Sequence, residues 1–216
     1  MQIVLPIAYF PPVSWMAIFL YSESPLLEIH ETYPKQTLRN RCNIMAANGS
    51  LRLSVPVKKP YGSRTKTSEV MVDKRSNWAV QHLRSFASAY RNTPYFEYFE
   101  DELSKMLLAD HYSLVQLIES SLKLVMRMLG ADKELRYTET YVKSEDSLWQ
   151  KAGFEYAIAA MGVSFPNYYQ AFAERFGFIP DLSILDLIFN LGPSDSMKYL
   201  KNLDTEVKAK TSLYSG

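Results

Sequence analysis

Cysteine is almost absent from this chain of 216 residues: Cys42 stands alone. A single thiol can form no internal bridge and no cysteine-built zinc site, so a reducing compartment is the expected setting. Histidine is nearly as scarce. His30, His82 and His111 are scattered and no HExxH spacing occurs, so no metal centre is expected. Excess charge is missing too: the formal net charge is +1, which excludes the strongly basic class of nucleic-acid binders. The longest apolar run, Val13–Leu20, is interrupted by Ser14 and is too short to cross a bilayer. No basic n-region precedes the apolar residues at the N-terminus, so a signal peptide is not expected and the expected location is cytoplasmic. The turn Tyr9-Phe10-Pro11-Pro12 lacks glycine, which excludes a dinucleotide fingerprint or a P-loop after the first strand, and no cofactor is expected. Neither an internal repeat nor a low-complexity segment is visible.

What is present is the composition of a soluble globular protein, 47% apolar and 22% charged. The length suits a single domain over residues 1–203, sheet-rich over 1–75 and mainly helical over 76–203, with 204–216 as a polar tail. Ile3–Ala8 reads as a buried strand with Pro6 near an edge, and Val13–Tyr21 as a short helix behind Pro12. Cys42–Ala46 and Leu51–Val57 flank Asn48-Gly49, a strong hairpin signal. Ser68–Asp73 and Leu135–Val142 read as further strands. Trp78, His82, Phe86 and Tyr90 then fall on one helical stripe behind a capping Asn77. Thr93-Pro94 ends that helix and starts the next, and a third runs from about Tyr112 to Leu129, with Leu114 to Leu129 forming its buried face and Gly130 stopping it. Lys143–Ser147 reads as a charged linker and Trp149–Ala160 as a helix. Asp181 is placed to cap Leu182–Leu191, and Gly192-Pro193 to close it. The expected class is therefore mixed α/β: a small mixed sheet with a hairpin in the N-terminal third and a helical remainder.

Candidate chemistry concentrates in Glu28–Asn43. This stretch holds Glu28, His30, Glu31, Tyr33, Lys35, Gln36, Arg39, Asn40 and Arg41 between two predicted strands, the setting of a pocket rim or of a charged loop. On a strand Glu28 and His30 share a face, so a carboxylate could orient a general base; an ion pair at the surface is the alternative. Arg39 and Arg41, two residues apart with no Asp or Glu from Thr32 through Ser68, would share a positive face suited to a phosphate or carboxylate, or would simply meet water. His82, one turn from Trp78 and Phe86, reads as a packed core residue or a site residue. Cys42 lacks a local activator. Ser183, Asp186 and Asn190 form a polar stripe on an otherwise apolar helix, which must be paired or face a cavity.

Several pieces together carry a resemblance. They are the first strand with Tyr9-Phe10-Pro11-Pro12, then Tyr33-Pro34-Lys35-Gln36 with Arg39-Asn40-Arg41, Trp78-x-x-x-His82, Ala89-Tyr90-x-x-x-Pro94-Tyr95-Phe96, and Leu182 to Gly192. Taken together, these resemble the WbqC-like family, found among bacterial O-antigen and surface-polysaccharide genes. Many members carry Gln-Pro where Pro6-Ile7-Ala8 stands here. The resemblance implies transfer of an aminoacyl group, glycine in type, onto an amino sugar. The expected substrates are then an acyl or aminoacyl donor and a nucleotide-linked amino sugar. His30, Glu28 and Glu31 are the catalytic candidates. Tyr9, Phe10, Tyr33, Lys35, Gln36, Arg39, Asn40, Arg41, His82, Ser183, Asp186 and Asn190 are the candidates for binding. A non-catalytic ligand-binding or scaffold protein of the same pathway is the competing class, and a poised acid or base is what separates the two.

Overall fold

In the computed structural model, which describes residues 3–142 and 153–214, the first strand is shorter than its apolar run. Strand β1 (Val4–Pro6) pairs in parallel with β2 (Leu26–Glu28), Val4 opposite Leu26. Parallel neighbours need a crossover, and helix α1 (Val13–Tyr21) supplies it. Pro6, which cannot donate to a ladder, lies on the edge strand, and its carbonyl accepts from Trp15 Nε1 at 2.9 Å. Helix α1 is buried from Val13 to Phe19 and has no cap of its own. Asp181 caps it from across the molecule, accepting from Ser14 N at 2.8 Å and Ser14 Oγ at 2.7 Å. This corrects the expectation that Asp181 caps the helix following it. Its φ of 54° is left-handed, unlike the extended backbone of an N-cap.

The hairpin joins β3 (Arg41–Ala46) to β4 (Gly49–Ser54), with Ala46 opposite Gly49. The chain therefore reverses over Ala47-Asn48, one residue before the expected pair. Gly49, at φ 98°, takes the left-handed position that follows the reversal. Strand β5 (Val57–Lys58) pairs antiparallel with β6 (Met71–Val72), and a 3₁₀ turn over Thr67–Glu69 occupies the start of the longer strand expected there.

Helix α2 (Trp78–Tyr90) buries Trp78, His82, Phe86 and Tyr90 as its stripe requires, although the Asn77 side chain makes no capping bond. Helix α3 (Phe96–Leu108) follows. Helix α4 (Leu114–Leu129) carries its own signals at both ends: Ser113 and Gln116 form a capping box, and Gly130 ends it at φ 65°. Strand β7 (Arg136–Tyr137) is all that forms of the expected strand 135–142, and it pairs in parallel with the outer side of β2.

The expected linker 143–147 and the start of the helix after it lie outside the described residues; Phe154–Ala160 is helical (α5). After the short α6 (Ala173–Phe176) comes α7 (Ile184–Tyr214), two helical arms joined at Gly192. The φ of 76° and ψ of 175° there are non-helical, so the first arm ends where Gly192-Pro193 was expected to close it. Pro193 opens the second arm, where a missing N–H matters little, and residues 204–214 are helical rather than a frayed tail. The first arm is buried from Ile184 through Phe189 and packs on α1 and α4. One hydrophobic cluster runs from Leu5 to Val207. The class is the expected one, mixed α/β with small sheets and a hairpin.

Candidate functional site

Just past the carboxyl ends of β1 and β2, a cleft of about 580 Å³ opens, the end of a parallel sheet where ligands commonly bind. Glu28, His30, Glu31 and Thr32 line it, together with Thr37, Leu38 and Arg39 and with Tyr141, Phe154 and Glu155.

Glu28 is only 2% exposed. Its Oε1 accepts from His30 N at 2.6 Å, Glu31 N at 3.2 Å and Thr138 Oγ1 at 3.3 Å, and its Oε2 accepts from Val142 N at 2.9 Å. A carboxylate holding four donors has little capacity left for a reacting proton. The pairing expected between Glu28 and the His30 ring is not formed, because β2 stops at Glu28 and strand alternation stops with it. The carboxylate holds the main chain of His30 instead.

The His30 ring is held by Thr138, whose carbonyl oxygen lies 2.9 Å from Nε2. A carbonyl can only accept, so in the neutral ring Nε2 carries the hydrogen and Nδ1 keeps the lone pair. Among the described residues Nδ1 has no protein partner. Half-buried on the cleft wall, His30 is thus oriented by a backbone acceptor with its basic nitrogen unoccupied.

Arg39 is not free. Its Nε and Nη2 each lie 2.6 Å from Glu31 Oε1, and both side chains are largely buried. Arg39 Nη1 also donates to Thr37 Oγ1 at 3.2 Å. This buried pair neutralises half of the basic face expected of Arg39 and Arg41. Arg39 precedes β3 and Arg41 begins it, so the two do not share a strand face.

The family model for the WbqC-like proteins matches residues 8–152. The chain belongs to the WbqC-like protein family. Within the matched span lie both arms of the Glu28 bracket, Thr138 and the loop that carries Arg39; α7 lies outside it. An uncharacterized protein of Mycobacterium tuberculosis is similar at 23% identity over 219 residues, covering 89% of this chain and 94% of that one. No solved structure gives a significant match.

The remaining candidates of this WbqC-like chain lie off the cleft. Tyr9 and Phe10 are fully buried, and Tyr9 Oη donates to His82 Nδ1 at 2.9 Å, while His82 Nε2 donates to the Ser54 carbonyl at 3.3 Å. Burial lowers the His82 pKa to about 4, against the pull of the Ser54 carbonyl, so the ring stays neutral. These three side chains build core rather than bind substrate. Ser183 and Asp186 likewise realise the paired alternative, and Asn190 does so through its Nδ2 alone, its buried Oδ1 having no partner among the described residues. Ser183 Oγ donates to the Phe10 carbonyl at 3.0 Å. Asp186 accepts from Tyr90 Oη at 2.9 Å, Tyr168 Oη at 2.7 Å and Gln170 Nε2 at 3.2 Å. Burial raises its pKa to about 6, while those three donors pull it down. Asn190 Nδ2 donates to the Asp186 carbonyl at 2.7 Å. Lys35 and Gln36 are exposed and do not line the cleft, and Asn40 Nδ2 donates to the Val55 carbonyl at 2.8 Å. Cys42 is buried, which pushes its thiol well up and leaves it no thiolate character. No group of histidine, cysteine and carboxylate side chains able to hold a metal occurs among the described residues.

Thr138, Thr37, Tyr141 and Glu155 were not singled out by the sequence. Thr138 had one usable signal, a hydroxyl directly after the short Leu135-Arg136-Tyr137 stretch, which pairs with the Leu26–Glu28 strand.

Proposed function

We propose that this WbqC-like protein is a transferase that moves an acyl or aminoacyl group, glycine in type, onto a nucleotide-linked amino sugar during bacterial O-antigen or surface-polysaccharide assembly in the cytoplasm. Family membership supports the pathway, and His30 supports the chemistry. In the proposed step the sugar amine attacks the acyl carbon. The C–N bond forms, the bond from that carbon to the donor's oxygen or sulfur breaks, and His30 Nδ1 takes the proton from nitrogen and returns it to the departing atom. The Thr138 carbonyl would keep the ring from turning, because it accepts from Nε2–H throughout. Glu28 acts as a positioning residue, shaping the His30 main chain.

His30→Ala should lower kcat/KM by roughly 10²- to 10⁴-fold, the usual worth of a general base. It should change stability by only about 1 kcal/mol, because one hydrogen bond is lost. Turnover of acyl donor and amino sugar retained within a factor of about two would remove His30 from the mechanism. A second reading, a binder without catalysis, is favoured by the saturation of Glu28 and by the closed Glu31–Arg39 pair. On that reading nucleotide sugars raise the melting temperature, no acyl donor is consumed, and His30→Ala alters affinity alone.

A further inference from the structure

Tyr141 is 53% exposed, and it lines the same cleft as His30. Of the aromatic candidates read from the sequence, Tyr9, Phe10 and Tyr33 are buried and none of them lines that cleft, nor does Arg41. Phe154 lines it but is buried, so among the described residues Tyr141 carries the one phenyl-type ring that the cleft leaves open. A lone exposed tyrosine on a convex surface is ordinary. Tyr141 differs in how its backbone is mounted. Val142 N donates to Glu28 Oε2 at 2.9 Å, and Thr138 is tied through its N to the Leu27 carbonyl at 3.0 Å and through its Oγ1 to Glu28 Oε1 at 3.3 Å. The same carboxylate accepts from His30 N and Glu31 N, so one buried group fixes the main chain beside both the imidazole and the phenol. Tyr141 makes no hydrogen bond or ring contact with any described residue, which leaves its ring available. The polar lining is weighted toward acceptors. Glu28, Glu31 and Glu155 stand against Arg39, Arg39 is closed on Glu31, and His30 Nδ1 holds a lone pair. Such a lining disfavours a phosphate and favours a ligand rich in N–H and O–H groups.

We infer that Tyr141 is a stacking platform for an amino sugar, the C–H face of the pyranose lying on the phenol ring while its amine and hydroxyls supply donors to an acceptor-rich cleft. A pyranose carries apolar C–H bonds on its faces and donors around its edge, which is the complement of an exposed ring set among carboxylates. The negative face of an aromatic ring attracts such C–H groups, and tyrosine offers that face at little cost in side-chain freedom. The ring makes the contact, and its hydroxyl is incidental. Naming this sugar as the acceptor of the transfer rests on the function proposed above; sugar binding itself does not. On that reading Tyr141 is a binding residue whose loss raises KM and leaves kcat in place.

The test uses the full chain, with the methyl glycosides of glucosamine and galactosamine as probes and uridine and UDP for comparison, in saturation-transfer NMR and calorimetric titration. At least one glycoside should bind wild type. Tyr141→Ala should weaken it by roughly three- to tenfold, the usual worth of one aromatic contact. Tyr141→Phe should bind within a factor of about two of wild type, because the ring is kept. The melting temperature of Tyr141→Ala should match wild type, since the side chain is exposed, so the loss of binding is read on a folded protein. Neither glycoside binding wild type overturns the platform, as does equal binding by Tyr141→Ala. Uridine or UDP binding that falls in Tyr141→Ala while glycoside binding does not also overturns it, and makes the ring a base platform. Glycoside binding that depends on Tyr141, without turnover of any acyl donor, refutes the transfer alone. Turnover with the amino-sugar KM unchanged in Tyr141→Ala refutes the platform alone.

Discussion

Burial acts on His82 and Asp186 in opposite senses, and their titration should be visible in stability. His82 has a folded pKa of about 4 against an ordinary 6.5. Between those values the unfolded chain binds a proton that the folded one does not. Its contribution is therefore complete above about pH 6.5 and is lost as pH falls through about 4. Asp186 is raised from 3.8 to about 6. Here the folded chain holds the extra proton, so the contribution is complete below about pH 3.8 and is lost as pH rises through about 6. Each shift corresponds to something on the order of 3 kcal/mol across its window. Asp181, raised to about 6 chiefly by burial, acts in the same sense as Asp186. The wild type should thus show partial cancellation between pH 4 and 6.5. His82→Gln should gain stability relative to wild type as pH falls from 7 to 4.5, and Asp186→Asn should lose it. Urea unfolding at both pH values checks the pair. Parallel pH profiles for wild type and both variants would show that neither group titrates as its surroundings dictate.

Among the elements, α7 is the one that Gly192-Pro193 divides into two arms, as the sequence leads one to expect, and the junction is closely packed. The φ of Gly192 is 76°, and a Cβ built there would run into the Tyr95 ring. Gly192→Ala combines a left-handed backbone with a clash against an aromatic side chain, and should destabilise by roughly 2–4 kcal/mol in chemical denaturation. An unchanged midpoint would mean that Tyr95 moves aside freely. Gly-Pro is a valid local stop signal, and it does interrupt the helix. What fixes a second arm beyond it is tertiary: the glycine admits Tyr95, and Leu200, Leu203 and Val207 are buried there. Helix α4 was legible at its end because Gly130 is its own neighbour, and its start, expected at about Tyr112, is set two residues later by the Ser113–Gln116 capping box. Asp181 was misread because its partner, Ser14, lies 167 residues away. The site divides along the same line. Glu28, His30, Glu31 and Arg39 stood out as a dense run of polar groups. Thr138 and Val142, which hold the first two in place, are too far along the chain for any spacing rule to connect them.

At the scale of the whole molecule, the sheet-rich residues 1–75 lean on the rest at every level. Tyr9 bonds His82, Ser14 bonds Asp181, and the Asn43 carbonyl accepts from Ser183 N at 2.8 Å. A fragment of residues 1–75 should therefore show no cooperative urea transition by circular dichroism; a sharp transition would mean two independent folding units instead of one. The bracket at Glu28 also orders events in time. Its carboxylate takes two donors from residues two and three positions on, and two from residues 110 and 114 positions on. The near pair can form as soon as Glu31 has been made. The far pair must close a loop containing the hairpin and α2 to α4, and such long-range closure is slow until the intervening helices have shortened the gap. During synthesis the strand Leu26–Glu28 therefore waits with its carboxylate half-satisfied until Val142 has left the ribosome, and the cleft is complete only once Phe154 and Glu155 have followed.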